Sequence, residues 1–292
     1  MIYLTKDDWN NLILSNLNNE ESFKKEFLEL FKVYNVVNFF IRKIYSTPNE
    51  QQNTLISALI IFHKYKICSG FSLNKYSSDE FFIILGACLF IGQRAINILK
   101  YKIDKIVSSI TQLINIKHPT INIDINDLNK KLIQKEYEIL TSIGFNIEID
   151  SPFLFFNKLK NYLSKSELNS ANFITLLNYI IKEAYILPLS LYYTPNVITI
   201  SCVKILREKY KLDFINIKEL ISLSEYNIEN EEIVQCSSLI KTLESNIEER
   251  KKQKSNNNIV VKNGKEEKIE EKKISPQASI AKVIPSIKMN IE

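Results

Sequence analysis

Apolar residues recur every three or four positions from about residue 6 to about residue 249, the spacing of amphipathic helices. Thr5 with Asp8 predicts a capping box for a short first helix carrying Trp9, Leu12 and Ile13. A second helix runs through Phe27, Leu30, Phe31, Tyr34, Val37, Phe40, Ile41 and Ile44. It is predicted to stop near Thr47-Pro48, because a residue before proline avoids helical dihedrals. Gln51 to Cys68 carries Leu55, Ala58, Leu59, Phe62 and Tyr65 on one face. Ser78 to Arg94 is apolar on nearly every side, which predicts a central helix surrounded by others. Helices over Lys102–Ile116 and Asp127–Ile143 follow, and Gly144 is placed to end the latter in a left-handed conformation.

A connector, Phe145 to Asp150, leads to Ser151-Pro152, where serine as N-cap and proline at the first helical position start a new helix. The same signal recurs at Thr194-Pro195. Helices are predicted at about 152–163, 168–187, 195–209, 216–222 and 229–249, a second group of five. The pattern predicts an all-α chain built on an internal duplication: a flanking helix over 1–19, five helices over 20–146, five more over 147–249, and a charged tail over 250–292. That tail, Arg250-Lys251-Lys252-Gln253-Lys254 followed by an Asn run and Lys/Glu alternation, has too little apolar surface to offset its ordering entropy, which predicts disorder.

Composition narrows the functional classes. With 292 residues, 45% hydrophobic and 24% charged, the chain has an ordinary globular balance. Five glycines and seven prolines argue against an all-β protein of tight turns. The net charge of +5 is mild, and much of the basic excess can sit in the tail, which argues against direct nucleic-acid binding. Cys68, Cys88, Cys202 and Cys236 form no C-x-x-C pair and only His63 and His118 could join them, so neither a metal nor a cofactor site is expected. The cysteines are expected as reduced core thiols, and His63 as a partly exposed structural histidine. The longest apolar run, Phe81 to Ile91, is short of the about 20 residues a bilayer span needs. The chain reads as intracellular and without a membrane partner. No Ser/His/Asp or Cys/His arrangement and no phosphate loop suggests catalysis.

One constellation points outward. The apolar run Ala87-Cys88-Leu89-Phe90-Ile91-Gly92-Gln93 ends abruptly in Arg94, and Glu136 sits inside the amphipathic segment Leu132 to Leu140. A cation ending a buried helix and an acid on a nearby helix predict a polar clamp on an otherwise greasy surface. Such a clamp suits gripping another protein better than it suits chemistry. On pattern alone a surface ion pair worth about 0–1 kcal/mol is the favoured reading of the two.

Several local runs, in order, resemble the cyclin family, and within it the transcription-associated T, K, L and C types. Phe62-His63-Lys64-Tyr65 is similar to the basic-aromatic stretch of the second cyclin-box helix, and Ala87 to Arg94 to the third-helix motif that ends in lysine. Glu136-Tyr137-Glu138-Ile139-Leu140-Thr141-Ser142-Ile143-Gly144-Phe145 resembles the fifth-helix run. Ile149-Asp150-Ser151-Pro152 resembles the lead-in to the second repeat, and Leu191 to Ile198 the lead-in to its third helix. The resemblance covers about residues 20–245 and implies two consecutive cyclin boxes.

It also implies a role: a regulatory subunit that binds and activates a cyclin-dependent serine/threonine kinase, in transcription or RNA-processing control, without catalysis of its own. The kinase C-helix region would dock on the third and fifth helices, with Arg94 and Glu136 in the places of the family's lysine and glutamate. Phe90 and Phe145 fall at matching apolar contact positions. Two departures stand out. Arginine replaces the lysine, exchanging a point donor for a planar fork. Ile96 and Asn97 stand where the family has an acidic pair. A nuclear location, with the cytoplasm as a second compartment, suits this role, and Arg250 to Lys254 would serve as an import signal or as the basic end of a helix. The competing expectations are a cyclin-fold general transcription factor and a helical scaffold that does not activate a kinase.

Overall fold

The computed structural model describes residues 20–72, 75–98, 103–120, 122–163, 170–212, 215–224 and 226–262. Every regular element among them is helical, so the chain is all-α as expected. The described residues form ten helices: α1 (Glu20–Ile44), α2 (Pro48–Ser69), α3 (Ser78–Ala95), α4 (Ile103–Lys117), α5 (Ile125–Ser142), α6 (Pro152–Leu163), α7 (Ser170–Ala184), α8 (Pro195–Tyr210), α9 (Ile217–Leu223) and α10 (Asn230–Lys262). A 3-10 turn, Leu189–Leu191, precedes α8. The helix expected around Trp9 and the chain beyond Lys262 lie outside the described residues.

Local chemistry sets most boundaries. Helix α2 begins at Pro48, ahead of the expected Gln51, because the Thr47 hydroxyl accepts the Glu50 amide and Pro48 takes the first helical position. It ends on Gly70 in the left-handed region, at φ 60. Ser77 and Glu80 form a reciprocal capping box for α3. Asp124 caps α5 through the amides of Asn126 and Asp127, and Thr194 caps α8 through Val197. Helix α10 continues to Lys262, beyond the expected end near 249.

Helix α3 packs against α1, α2, α4 and α5, and every residue from Phe81 to Gln93 is buried. A Cβ on Gly92 would stand 2.8 Å from the Ala58 backbone nitrogen. Only a residue without one lets α2 and α3 cross this closely. The end of α3 is also fixed from the residue that follows α1: Tyr45 donates from its hydroxyl to Gln93 Oε1 at 2.8 Å inside the core. Helix α8 holds a similar position later in the chain, packed against α6, α7 and α9. Ser201 on α8 also donates to the Ile233 carbonyl of α10 at 3.3 Å.

Helix α2 joins the earlier and later helices. Residues Thr54 to His63 are all buried, so the helix has no solvent face over that stretch. It touches α1, α3 and α5, and also α7 and the 3-10 turn. The connector after α5 is tied back along it, through Ser151 Oγ to Asn53 Oδ1 at 3.1 Å and through Lys64 to Asn146 and Glu148. Two expectations need correction here. His63 is 1% exposed, because α2 is covered on the side expected to face water. Cys68 is exposed, because it lies in the last turn of α2; the other three cysteines are buried thiols.

By contacts the chain divides into two compact units, Met1–Ser245 and Asn246–Glu292. Over its described residues the second is the continuation of α10. No helix among the described residues is long and apolar enough to cross a membrane.

Candidate functional site

Arg94 belongs to the last turn of α3, where a cation suits the carbonyl end of the helix dipole. Just past it, Asn97 adopts the left-handed conformation at φ 57. The Asn97 amide donates to the Arg94 carbonyl at 3.0 Å and the Ile98 amide to the Gln93 carbonyl at 2.9 Å. These two bonds are the Schellman stop, and asparagine tolerates its left-handed position better than other side-chain-bearing residues. Asn97 therefore has a backbone task of its own.

Helix α5 ends the same way. The Gly144 amide reaches the Thr141 carbonyl at 3.1 Å and the Phe145 amide reaches Leu140 at 2.7 Å. Gly144 has φ 60, as its place in the sequence predicts. Phe145 follows with φ 56, so a bulky residue occupies a conformation that costs about 1–2 kcal/mol. Its ring gains little burial in return, because the residue is 59% exposed.

The two helix ends bring the clamp together. Nη1 of Arg94 lies 2.6 Å from Oε1 of Glu136, and the guanidinium carbon stands 4.1 Å from the ring centroid of Phe90, one turn earlier on α3. The cation is thus held between an aromatic face and a carboxylate. The arginine side chain is half exposed while that of Glu136 is nearly covered. Phe90 sits mostly inside, beneath the guanidinium. The structure therefore unites Phe90, Arg94 and Glu136 in one cluster, with Phe145 exposed on the turn that ends the helix carrying Glu136.

Two glutamates on α5 differ in how well they are satisfied. Glu138 accepts from the Tyr65 hydroxyl at 2.9 Å and from Lys135 at 2.5 Å. Burial pushes its carboxyl up, but these donors outweigh it and hold the group below the ordinary carboxylate range. Glu136 behaves oppositely: burial raises its carboxyl above that range, and the attraction of Arg94 only partly offsets the shift. Among the described residues its hydrogen bond is the single one from Arg94. A carboxylate has about four acceptor sites, so Glu136 retains capacity for further N–H donors.

An apolar face flanks the cluster. Ile133 and Tyr137, one turn apart on α5, are 54% and 67% exposed. Leu132, Glu136 and Ile139 meanwhile turn inward. Ile133 and Tyr137 are functional candidates that the core periodicity alone does not mark. Their signal is a second apolar stripe at i, i+4 beside the core stripe. Helix α5 thus presents isoleucine, tyrosine and a terminal phenylalanine to solvent, next to a half-exposed cation and its carboxylate partner. Hot-spot residues at protein interfaces are typically aromatic or arginine.

Compared with protein-family models and with curated proteins, the chain matches none.

Proposed function

We propose that this chain is a cyclin-type regulatory subunit that binds and activates a cyclin-dependent serine/threonine kinase, in transcription or RNA-processing control within the nucleus. The observation that carries the reading is the Arg94–Glu136 clamp on the third and fifth helices, with Ile133, Tyr137 and Phe145 exposed beside it. The place of α3 among α1, α2, α4 and α5, and of α8 among its own neighbours, supports two successive cyclin boxes. The ordered motifs from Phe62 to Ile198 support the same reading.

The mechanism follows from the surface. The kinase C-helix lies on the exposed face of α5, burying Ile133, Tyr137 and Phe145. Backbone amides at its base complete the shell of Glu136, and backbone carbonyls accept the remaining donors of Arg94. Held inward, the C-helix completes the glutamate–lysine ion pair that phosphoryl transfer requires. The subunit contributes position and no chemistry.

Purification from native extract with identification by mass spectrometry tests this directly. A stoichiometric cyclin-dependent kinase is expected, and its absence from every stable complex overturns the proposal. A second reading, a non-activating scaffold, draws on Asn97, whose left-handed φ shows a helix stop at a position the family gives to an acid. A kinase assay with and without the subunit separates the two: binding without stimulation favours the scaffold.

A further inference from the structure

Three consecutive residues of α2 reach three different parts of the chain, as the roughly 100° turn per residue of a helix allows. Nε2 of His63 lies 3.2 Å from the Tyr185 carbonyl oxygen, beyond α7. The Tyr65 hydroxyl donates to Glu138 on α5. Between them, the ammonium of Lys64 donates to the Asn146 carbonyl at 3.1 Å, to Asn146 Oδ1 at 3.2 Å and to the Glu148 carbonyl at 2.9 Å. A lysine ammonium has three N–H donors, and the connector supplies three acceptors.

We infer that Lys64 is a positioning residue for the docking surface: it holds the connector so that Phe145 keeps its left-handed turn and presents its ring to solvent. The inference rests on the docking role proposed for Phe145. A side chain in a sparsely populated conformation persists only where its surroundings over-determine it. Phe145 cannot supply that restraint through its own ring, which is mostly exposed. The restraint comes from both flanks. On the helix side lie the Gly144 and Phe145 amide bonds already described. On the connector side the Asn146 amide reaches Ile143 at 3.2 Å and the Ile147 amide reaches the Phe145 carbonyl at 3.0 Å. The carbonyls of Asn146 and Glu148 then close on Lys64. Release of the ammonium would free the connector immediately after Phe145 and leave the turn held from one side.

Burial pushes the Lys64 ammonium below its ordinary range, while Glu148 and Asp150 draw it back up. The ammonium is thus desolvated for the connector's sake. Arginine cannot replace it fully, because a planar guanidinium spreads its donors over a fork and does not converge them on one cage.

Amide hydrogen exchange on the full chain tests the inference, with wild type, Lys64→Met and Lys64→Arg compared. The amides of Gly144 to Ile147 are expected to exchange about ten-fold faster in Lys64→Met and by a smaller factor in Lys64→Arg, with those of Ile84 to Leu89 unchanged. Affinity for the purified kinase catalytic domain recovered with the wild-type chain should fall about in step. Unchanged exchange at the turn in both variants overturns the inference. Faster exchange with unchanged kinase affinity makes Lys64 a staple only, which overturns its positioning role and leaves the docking proposal standing. If the wild-type chain binds no kinase, the docking proposal falls and the inference falls with it. Should Lys64→Met unfold, seen as fast exchange of Ile84 to Leu89 too, Lys64→Arg alone decides.

Discussion

Arg94 and Glu136 stand 2.6 Å apart across α3 and α5, yet the carboxyl of Glu136 is raised above its ordinary range. Burial costs this acid more than its partner returns. A pair kept for stability would show the reverse, as Glu138 does with Tyr65 and Lys135. In the isolated chain, a double-mutant cycle with Arg94→Ala and Glu136→Gln should give a coupling below about 1 kcal/mol in urea unfolding. Glu136→Gln alone should be neutral to stabilising. Kinase affinity measured by calorimetry should fall sharply in the double variant. Intact affinity would remove both residues from the site.

Phe145 trades stability for presentation. Phe145→Gly relieves the left-handed strain, and even after the added entropy of glycine it should raise unfolding stability by about 0.5–1 kcal/mol. The same change should weaken kinase binding, because the exposed ring is gone. A variant that is both less stable and fully binding contradicts this account.

His63 makes the fold acid-sensitive. Burial lowers its imidazole from 6.5 to about 4, with Lys66 adding to the shift and the Tyr185 carbonyl opposing it. The unfolded chain therefore binds the proton first as pH falls. Stability is complete above about pH 6.5 and is lost progressively down to about pH 4, by up to about 3 kcal/mol from this group. Urea midpoints between pH 7 and pH 4.5 should show the loss, and His63→Gln should flatten it. An equal slope in both chains would exclude the residue.

Gly92→Ala tests the crossing of α2 and α3. The new methyl would meet the Ala58 backbone at 2.8 Å, and neither buried helix can give way easily. A destabilisation of about 1–3 kcal/mol is expected from thermal or urea unfolding. An unchanged midpoint would mean the two helices can separate at little cost.

The helices were legible because their signals are local. Ser151-Pro152 and Thr194-Pro195 are capping chemistry that depends on neighbours in sequence. Thr47-Pro48 carries the same signal, but the preceding helix made it read as an ending and not also as a beginning. The clamp was legible in part, since a cation after an all-apolar run has few internal uses. The state of Phe145 was not legible: its φ follows from a Schellman stop closed on one side by α5 and on the other by Lys64, whose acceptors lie 82 to 84 residues away. The burial of His63 was hidden for a similar reason, because its cover comes from Tyr185. Asn97 shows the converse. Its departure from the family pattern reads as a loss in sequence and as a helix stop in three dimensions.

Helix α2 belongs to both halves of the fold, and that limits how the gene can be cut. The segment from Ser151 to Ser245 looks like a self-contained module, but Tyr185, Ile186 and Leu189 are buried in a fold whose second half rests on α2. Expressed without α2, that module would lose the cover α2 gives it and should aggregate. The earlier and later helices share one buried helix and are not independent parts.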